Sequence, residues 1–315
     1  MVYTELQMGT HLKRSKNWAK KGSILSIKRI FFVCIGTSLV LHARESDEGI
    51  QQLKVGNFAV HGTMQPGPLL GFGQNIIDQY NTLAIVYPNW LLGPHKSFTE
   101  VFPYIVYGLR DDLSILLGFP TAARFKADGF HSSGSEDIIV QLEYALYARH
   151  METVTNQVTL VTAMFFPSGN DCKNPPTGFG SPSFFLGITA ERLTTTWLFY
   201  TSYGALLTTK HDANKSGNQF FYQAGFGKNI AYSPHKWILT WMLEMNGWYE
   251  QKSKLNGIIE QNSGFNLIMV GPSLWFSTER FALQVGVAPI VTQHLFGKQP
   301  KNSVFTSFLI AWRFD

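Results

Sequence analysis

The feature that most constrains this chain is a regular series of segments in which apolar and polar residues alternate. Alternation with a period of two is the pattern of a β-strand whose two faces meet different surroundings. Twelve such segments, each 9–15 residues long, follow residue 79, at 80–90, 97–107, 112–120, 136–149, 153–166, 182–191, 194–208, 217–230, 235–249, 263–276, 279–292 and 303–314. Strands of soluble proteins are most often about 5–6 residues long, whereas a tilted strand that crosses a bilayer needs about 9–11. The lengths therefore favour a membrane-spanning barrel.

The connections between these segments alternate between short and long. Short turns are predicted at 109–111, 150–152, 192–193, 231–234 and 277–278. Longer loops, polar or rich in Gly and Pro, are predicted at 91–96, 121–135, 167–181, 209–216, 250–262 and 293–302. Outer-membrane barrels combine long extracellular loops with short periplasmic turns. The pattern predicts an all-β, transmembrane antiparallel barrel of about 12 strands.

The alternation also assigns the two faces of each strand. In 235–249, Trp237, Leu239 and Trp241 share one face, and Glu244 lies on the other. A membrane barrel turns its apolar face to lipid and its polar face to the lumen. The predicted lumen-lining residues are Glu100, Gln141, Glu143, Arg149, Gln157, Tyr200, Gln223, Glu244, Gln284 and Arg313, with Phe102 and Tyr104 on the same face. Aromatic girdles at the membrane interfaces are predicted from Trp90, Tyr107, Tyr147, Trp197, Trp237, Trp248, Tyr249, Trp275 and Trp312.

The N-terminal part divides into two segments before the barrel at 80–315. Residues 1–43 combine basic residues with an apolar run at 30–41, which predicts a signal peptide that is removed on export. The alternatives are a mitochondrial presequence and a core helix. These residues carry seven of the 26 basic and one of the 21 acidic residues, so the remainder has a net charge of −1 and offers no case for nucleic acid binding. Residues 44–79 are a lead-in that could plug the barrel, lie in the periplasm or be disordered.

Motifs for catalysis or metal binding are weak. His131 and Ser133 lie two residues apart, as in outer-membrane phospholipases, but the surrounding Gly and Ser residues favour a loop. Gly71-Phe72-Gly73 lacks the third glycine of a dinucleotide-binding loop. The nine histidines show no metal-ligand spacing, and Cys172 is the only cysteine after residue 43. We therefore predict no catalytic residues, no cofactor and no metal.

Several short motifs resemble a family of exported bacterial proteins named for the meta-pathway of phenol degradation. The resemblance runs from about Thr82 to Phe314 and rests on the motifs at 107–113, 118–120, 166–170, 178–181, 270–274 and 285–289. Ser168 and Asn170 depart from the family's Pro-Thr-Gly-Asp motif. The family implies an outer-membrane barrel with a role in the passage of aromatic or other hydrophobic compounds.

Together, these patterns predict passive transport of small, aromatic or hydrophobic solutes by a barrel in the outer membrane of a Gram-negative bacterium. The expected partners are outer-membrane lipid, the barrel assembly machinery and the solute. The last strand, 303–314, ends in alternating apolar residues with Phe314 next to the C-terminus, which is the type of signal that the machinery reads. The alternatives are a structural or surface-interaction barrel, a barrel lipid hydrolase and a soluble β protein.

Overall fold

The computed structural model describes residues 64, 66–69, 71–127, 129–151, 153–233 and 236–314. The predicted signal peptide and most of the lead-in lie outside these residues. The strands are β1 (Thr82–Leu92), β2 (Lys96–Arg110), β3 (Leu113–Gly118), β4 (Thr121–Ala127), β5 (Phe130–Ser135), β6 (Ile138–Met151), β7 (Val154–Phe166), β8 (Ser183–Thr194), β9 (Trp197–Thr208), β10 (Gln219–Ser233), β11 (Trp237–Glu250), β12 (Lys254–Leu255), β13 (Ile258–Ile259), β14 (Phe265–Ser277), β15 (Phe281–Leu295) and β16 (Val304–Phe314). Among the described residues, no helix is long and apolar enough to cross a membrane.

The main sheet is antiparallel and closes on itself. Chain neighbours pair along the sheet, and β1 pairs with both β16 and β2, which completes the circle. β3 and β4 pair with successive parts of β2, so they form one wall strand, and β5 and β6 continue each other in the same way. The wall therefore has twelve strands, and the predicted fold class is confirmed.

Residues 121–135, predicted as a loop, instead form the β4–β5 hairpin. The third predicted segment ended at Pro120, and the polar, Gly-containing stretch after it predicted a long loop. The ladder continues around this residue: Phe119 N donates to the Pro103 carbonyl at 2.9 Å, and Glu136 N donates to the Pro120 carbonyl at 3.0 Å. The hairpin therefore extends the sheet along residues 96–101 of β2. The predicted loop 250–262 also contains a small hairpin, β12–β13.

The two faces of the wall have opposite character. Apolar side chains on the outer face are exposed, as at Leu186 (56%), Ile188 (42%) and Tyr203 (59%). The inner face holds most of the buried polar residues and a cluster of buried aromatic and aliphatic residues. Exposed apolar side chains on most of the wall strands are stable against lipid and not against water. The arrangement is that of a membrane-spanning barrel.

Two of the predicted girdle residues do not lie on the outer face. Trp248 is 2% exposed and Trp275 is 7% exposed, and both point into the barrel. Trp248 stacks on Phe221 at 6.0 Å and meets the edge of Phe265 at 5.0 Å. An aromatic residue near a strand end fits either face, and the strand's alternation decides which face it occupies.

Candidate functional site: the barrel lumen

The inward face brings together most of the sequence-predicted lumen residues. Glu100, Gln141, Glu143, Tyr200, Gln223, Glu244 and Gln284 are all buried there. Gln157 is half-buried, and its Nε2 donates to Thr159 Oγ1 at 3.0 Å. Arg313 is half-buried at the end of the barrel with the short turns, with its guanidinium 3.8 Å from Glu279.

Arg149 does not join this set. The pairing of β6 with β7 shifts between Ala145 and Tyr147, so Leu146 is an extra residue in β6. A bulge of this kind reverses the alternation beyond it. Arg149 is therefore exposed, opposite Asn156 of β7, whereas the next residue, His150, lies opposite the buried Thr155.

Residues 66–69 and 71–79, here called the lumen segment, lie inside the barrel. Just before it, Met64 accepts a hydrogen bond from Ser277 Oγ at 2.7 Å and donates one to the Thr278 carbonyl at 3.0 Å, at the short β14–β15 turn. At the far end of the segment, Gln79 N donates to Asp111 Oδ1 at 3.0 Å, at the short β2–β3 turn. The segment therefore leaves and returns to the same end of the barrel, and its middle part contacts residues halfway along the strands.

Glu244 and its neighbours hold the first half of the lumen segment. Leu69 N donates to Glu244 Oε2 at 2.8 Å, and Tyr200 Oη donates to the same oxygen at 3.2 Å. Ser273 Oγ donates to the other carboxylate oxygen. Gln284 Nε2 donates to the Gly67 carbonyl at 3.1 Å. Two of the predicted lumen residues on different strands thus bind the main chain of the segment.

Glu143 holds the second half. Its carboxylate accepts hydrogen bonds from Asn75 N at 2.8 Å, from Asn75 Nδ2 at 2.7 Å and from Gln141 Nε2 at 2.7 Å. Ile77 N donates to Ser114 Oγ at 3.0 Å. Because three hydrogen bonds converge on this carboxylate, two of them from Asn75, it is a main anchor of the segment.

Phe72 lies between these two anchors, against the opposite wall. Its carbonyl accepts a hydrogen bond from Thr189 Oγ1 at 2.6 Å, and its ring meets the edge of Phe185 at 4.9 Å. A Cβ atom on Gly187 would lie 2.6 Å from the Phe72 ring, and one on Gly204 would lie 2.9 Å from it. These two glycines therefore leave the space that the ring occupies.

A cavity of about 150 Å³ remains between the lumen segment and the wall formed by β1, β2, β3 and β16. Most of its surface is apolar, from residues such as Ile76, Ile85, Phe102, Tyr104, Leu116 and Leu309. Polar residues also line it, including Gln141 and Arg313. In another protein, an apolar cavity of about 150 Å³ binds benzene. The cavity thus has the size and lining for one aromatic ring.

The loops at the other end of the barrel, here called the long-loop end, are tied together by polar contacts. Asp137 accepts hydrogen bonds from Gly169 N at 2.9 Å and from Phe179 N at 2.8 Å, so it orders the loop after β7. Burial raises the pKa of Asp137, and these two N–H groups act in the opposite direction. His211 Nδ1 lies 2.6 Å from Asp171 Oδ2, and this contact raises the pKa of His211.

His131 and Ser133 lie in this region, on strand β5 rather than in a loop. The Ser133 carbonyl accepts a hydrogen bond from Lys173 Nζ at 2.5 Å. In the described part of the chain, no hydrogen bond joins the His131 ring to the Ser133 hydroxyl, and no group of three or more His, Cys, Asp or Glu residues could hold a metal ion.

The sequence analysis missed the residues that anchor the lumen segment. Asn75, Ser114, Thr189 and Ser273 are small polar residues, and the last three lie on inward faces. Alternation identifies these inward positions, but it does not identify their partners. The Gly and Pro residues at 66–73 suggested a flexible lead-in, whereas residues 66–69 and 71–73 pack against the wall.

Comparison with known proteins identifies the fold. No protein-family model matches the chain, and no curated protein matches it. The COG4313 outer membrane channel from Pseudomonas putida F1 has a similar structure, with a TM-score of 0.64 and 13% sequence identity over 80% of this chain and 100% of that one. The NanC porin aligns with a TM-score of 0.45 and 13% identity over 74% of this chain and 99% of that one. The similarity to the COG4313 channel shows a shared outer-membrane barrel fold.

Proposed function

We propose that this protein is an outer-membrane barrel for the passive transport of small aromatic or hydrophobic solutes. The main support is the apolar cavity of about 150 Å³ between the lumen segment and the wall. Because the lumen segment occupies the interior of the barrel, it favours a narrow path along the wall over an open aqueous pore. The fold shared with an outer membrane channel agrees with this proposal, as does the resemblance to the phenol meta-pathway family.

The same proposal places the protein in the outer membrane of a bacterium after export by the signal peptide. Assembly would use the last strand, β16, whose outer face carries Ile310, Trp312 and Phe314. An enzymatic barrel receives less support, because Lys173 holds the main chain of Ser133 and no described contact activates the serine hydroxyl.

Uptake by liposomes tests the proposed function. Refolded protein, with folding verified by circular dichroism and by gel mobility before and after boiling, should admit benzoate faster than a sugar of similar size. Leu116→Trp should slow benzoate uptake severalfold, because Leu116 is 4% exposed and lines the cavity. Ile105→Trp is the matched control, because Ile105 is 46% exposed on the outer face of the neighbouring strand β2. A folded barrel that admits neither solute, or benzoate uptake that Leu116→Trp leaves unchanged, contradicts the proposal.

A further inference from the structure

An apolar groove of about 630 Å³ lies on the lipid-facing side of β14, β15 and β16. Trp90 of β1 and Trp241 of β11 stand at its two sides, and Leu274, Val285, Val287 and Phe308 line it. Its surface is almost entirely apolar. Elsewhere on the outer wall, apolar side chains such as Leu186 and Tyr203 are exposed. The groove is therefore a concave site within the apolar belt.

The main chain beneath the groove is irregular. Gly286 contributes to the lining through its main chain, because a Cβ atom on it would point into the barrel, 2.3 Å from Leu69. The β14–β15 pairing is interrupted between Met269/Ile290 and Ser273/Gly286, where Pro272 cannot donate a hydrogen bond to the ladder. The groove therefore lies over an irregular part of the β14–β15 ladder.

A cationic groove lies on the same strands at the long-loop end. It has a volume of about 710 Å³, and its basic residues are His95, His294, Lys298 and Lys301. None of the described residues that line it is acidic. His95 also lines an adjacent cavity of about 350 Å³, which adds Lys96 and Lys126. The loops after β1 and β15 meet here, since a Cβ atom on Gly93 would lie 2.2 Å from the Lys301 carbonyl oxygen.

The two grooves are aligned along the wall. Val285 and Val287 face outward on β15, and beyond the bulge near Ile290 the outward column continues through Thr292 to His294. On β16, Thr306 borders the apolar groove, and Lys301 precedes it by five residues. At about 3.3 Å per residue, the distance along the chain from Lys301 to Thr306 is about 17 Å. This distance is comparable to the length of an extended acyl chain.

We propose that these two grooves together bind one lipid that has a phosphate-bearing sugar headgroup and saturated acyl chains, the chemistry of lipopolysaccharide. The lysine ammonium groups would bind the phosphates, as basic pockets at membrane surfaces bind anionic headgroups. One acyl chain would lie in the apolar groove between Trp90 and Trp241. The occupant is membrane lipid because the apolar groove opens onto the surface that contacts hydrocarbon. This site lies outside the lumen and is independent of solute transport.

Native mass spectrometry of the full barrel released from nanodiscs tests the site, with bisphosphorylated lipid A and its dephosphorylated form as probes. The wild type should retain the phosphorylated probe more strongly. Lys298→Gln/Lys301→Gln should lower its retention by about tenfold and leave the dephosphorylated probe unaffected. Lys210→Gln/Lys254→Gln, which removes the same charge from exposed residues of other loops, should leave retention unchanged.

The apolar groove has its own variants. Val287→Trp should fill the groove and lower retention of both probes, and Thr306→Phe should do the same if Val287→Trp does not fold. Leu186→Trp, on an exposed outward position of β8, is the matched control. The proposal is overturned if Lys298→Gln/Lys301→Gln behaves like its control. It is also overturned if the folded groove variant retains both probes as well as the wild type.

Discussion

At the scale of single residues, the pair formed by Asp171 and His211 links two long loops that are distant in sequence. The carboxylate of Asp171 lies next to Gly180, where a Cβ atom would be 2.3 Å from Asp171 Oδ2. The φ of Gly180 is +70°, which favours glycine. Protonated His211 is the form that pairs with the carboxylate, so Asp171 raises the pKa of His211.

The sign of the pH effect follows from this pair. The contribution of the Asp171–His211 pair to loop order is fully present below the ordinary pKa of histidine. This contribution is lost as the pH rises through the raised pKa of His211. Asp171→Asn should therefore lower the pKa of His211 toward its ordinary value, measured by NMR titration of carbon-13-labelled histidine. Asp112→Asn, in a short turn at the other end of the barrel, is the control. An unchanged His211 titration in Asp171→Asn would mean that Asp171 does not hold the proton on His211.

At the scale of elements, the lumen segment is held by hydrogen bonds to wall residues from separate strands. Glu143 on β6 and Glu244 on β11 each accept backbone N–H groups from it, and Thr189 on β8 donates to the Phe72 carbonyl. An unpaired backbone N–H in this buried position costs about 1–3 kcal/mol. The position of the segment therefore depends on two carboxylates that lie on different parts of the wall.

Glu143→Gln/Glu244→Gln should loosen the segment, because an amide nitrogen would compete for positions where carboxylate oxygens now accept. We expect a severalfold increase in the ionic conductance of single barrels in planar bilayers. The control is Glu143→Gln/Glu250→Gln, which removes the same charge but leaves Glu244 intact; it should raise conductance less. Equal conductance in the wild type and both variants would exclude these carboxylates as the anchors.

At the scale of the whole molecule, the distribution of apolar residues on the wall is the reverse of that in a soluble β protein. Ile188 is the sixth of the twelve residues of β8, is 42% exposed and faces outward. On a soluble protein, a substitution at such an exposed position changes the free energy of unfolding by no more than about 0.5 kcal/mol. In the middle of a bilayer, an arginine on the lipid face costs about 2–4 kcal/mol.

Ile188→Arg therefore separates the membrane barrel from a soluble protein. We expect the free energy of unfolding in lipid vesicles to fall by about 2–4 kcal/mol, measured by denaturant titration with gel mobility as the readout. Ile259→Arg is the control, because Ile259 is 48% exposed on the β12–β13 hairpin, outside the wall. An Ile188→Arg variant as stable as the control would contradict a lipid-facing wall.

The sequence by itself determined the number of strands, their approximate limits and the face of most residues. These properties are local, because side chains alternate along any extended backbone and the length of an alternating run records the thickness that the strand crosses. Glu143, Glu244 and Gln284 lie on the predicted side of the wall for this reason. The third segment was predicted to end at Pro120, whereas hydrogen bonds to the neighbouring chain continue the ladder past it.

Only the tertiary structure decided the position of Arg149, the path of the lumen segment and the cavity beside it. The extra residue Leu146 appears only when β6 is aligned with β7. The lumen segment is placed by carboxylates and hydroxyls that are up to 175 residues away in sequence, and its own residues show no periodicity. Closing the barrel brings these groups to one interior, where buried N–H groups must find acceptors. Which acceptors these N–H groups find depends on the side chains that the closed wall brings together, and no local sequence pattern predicts it.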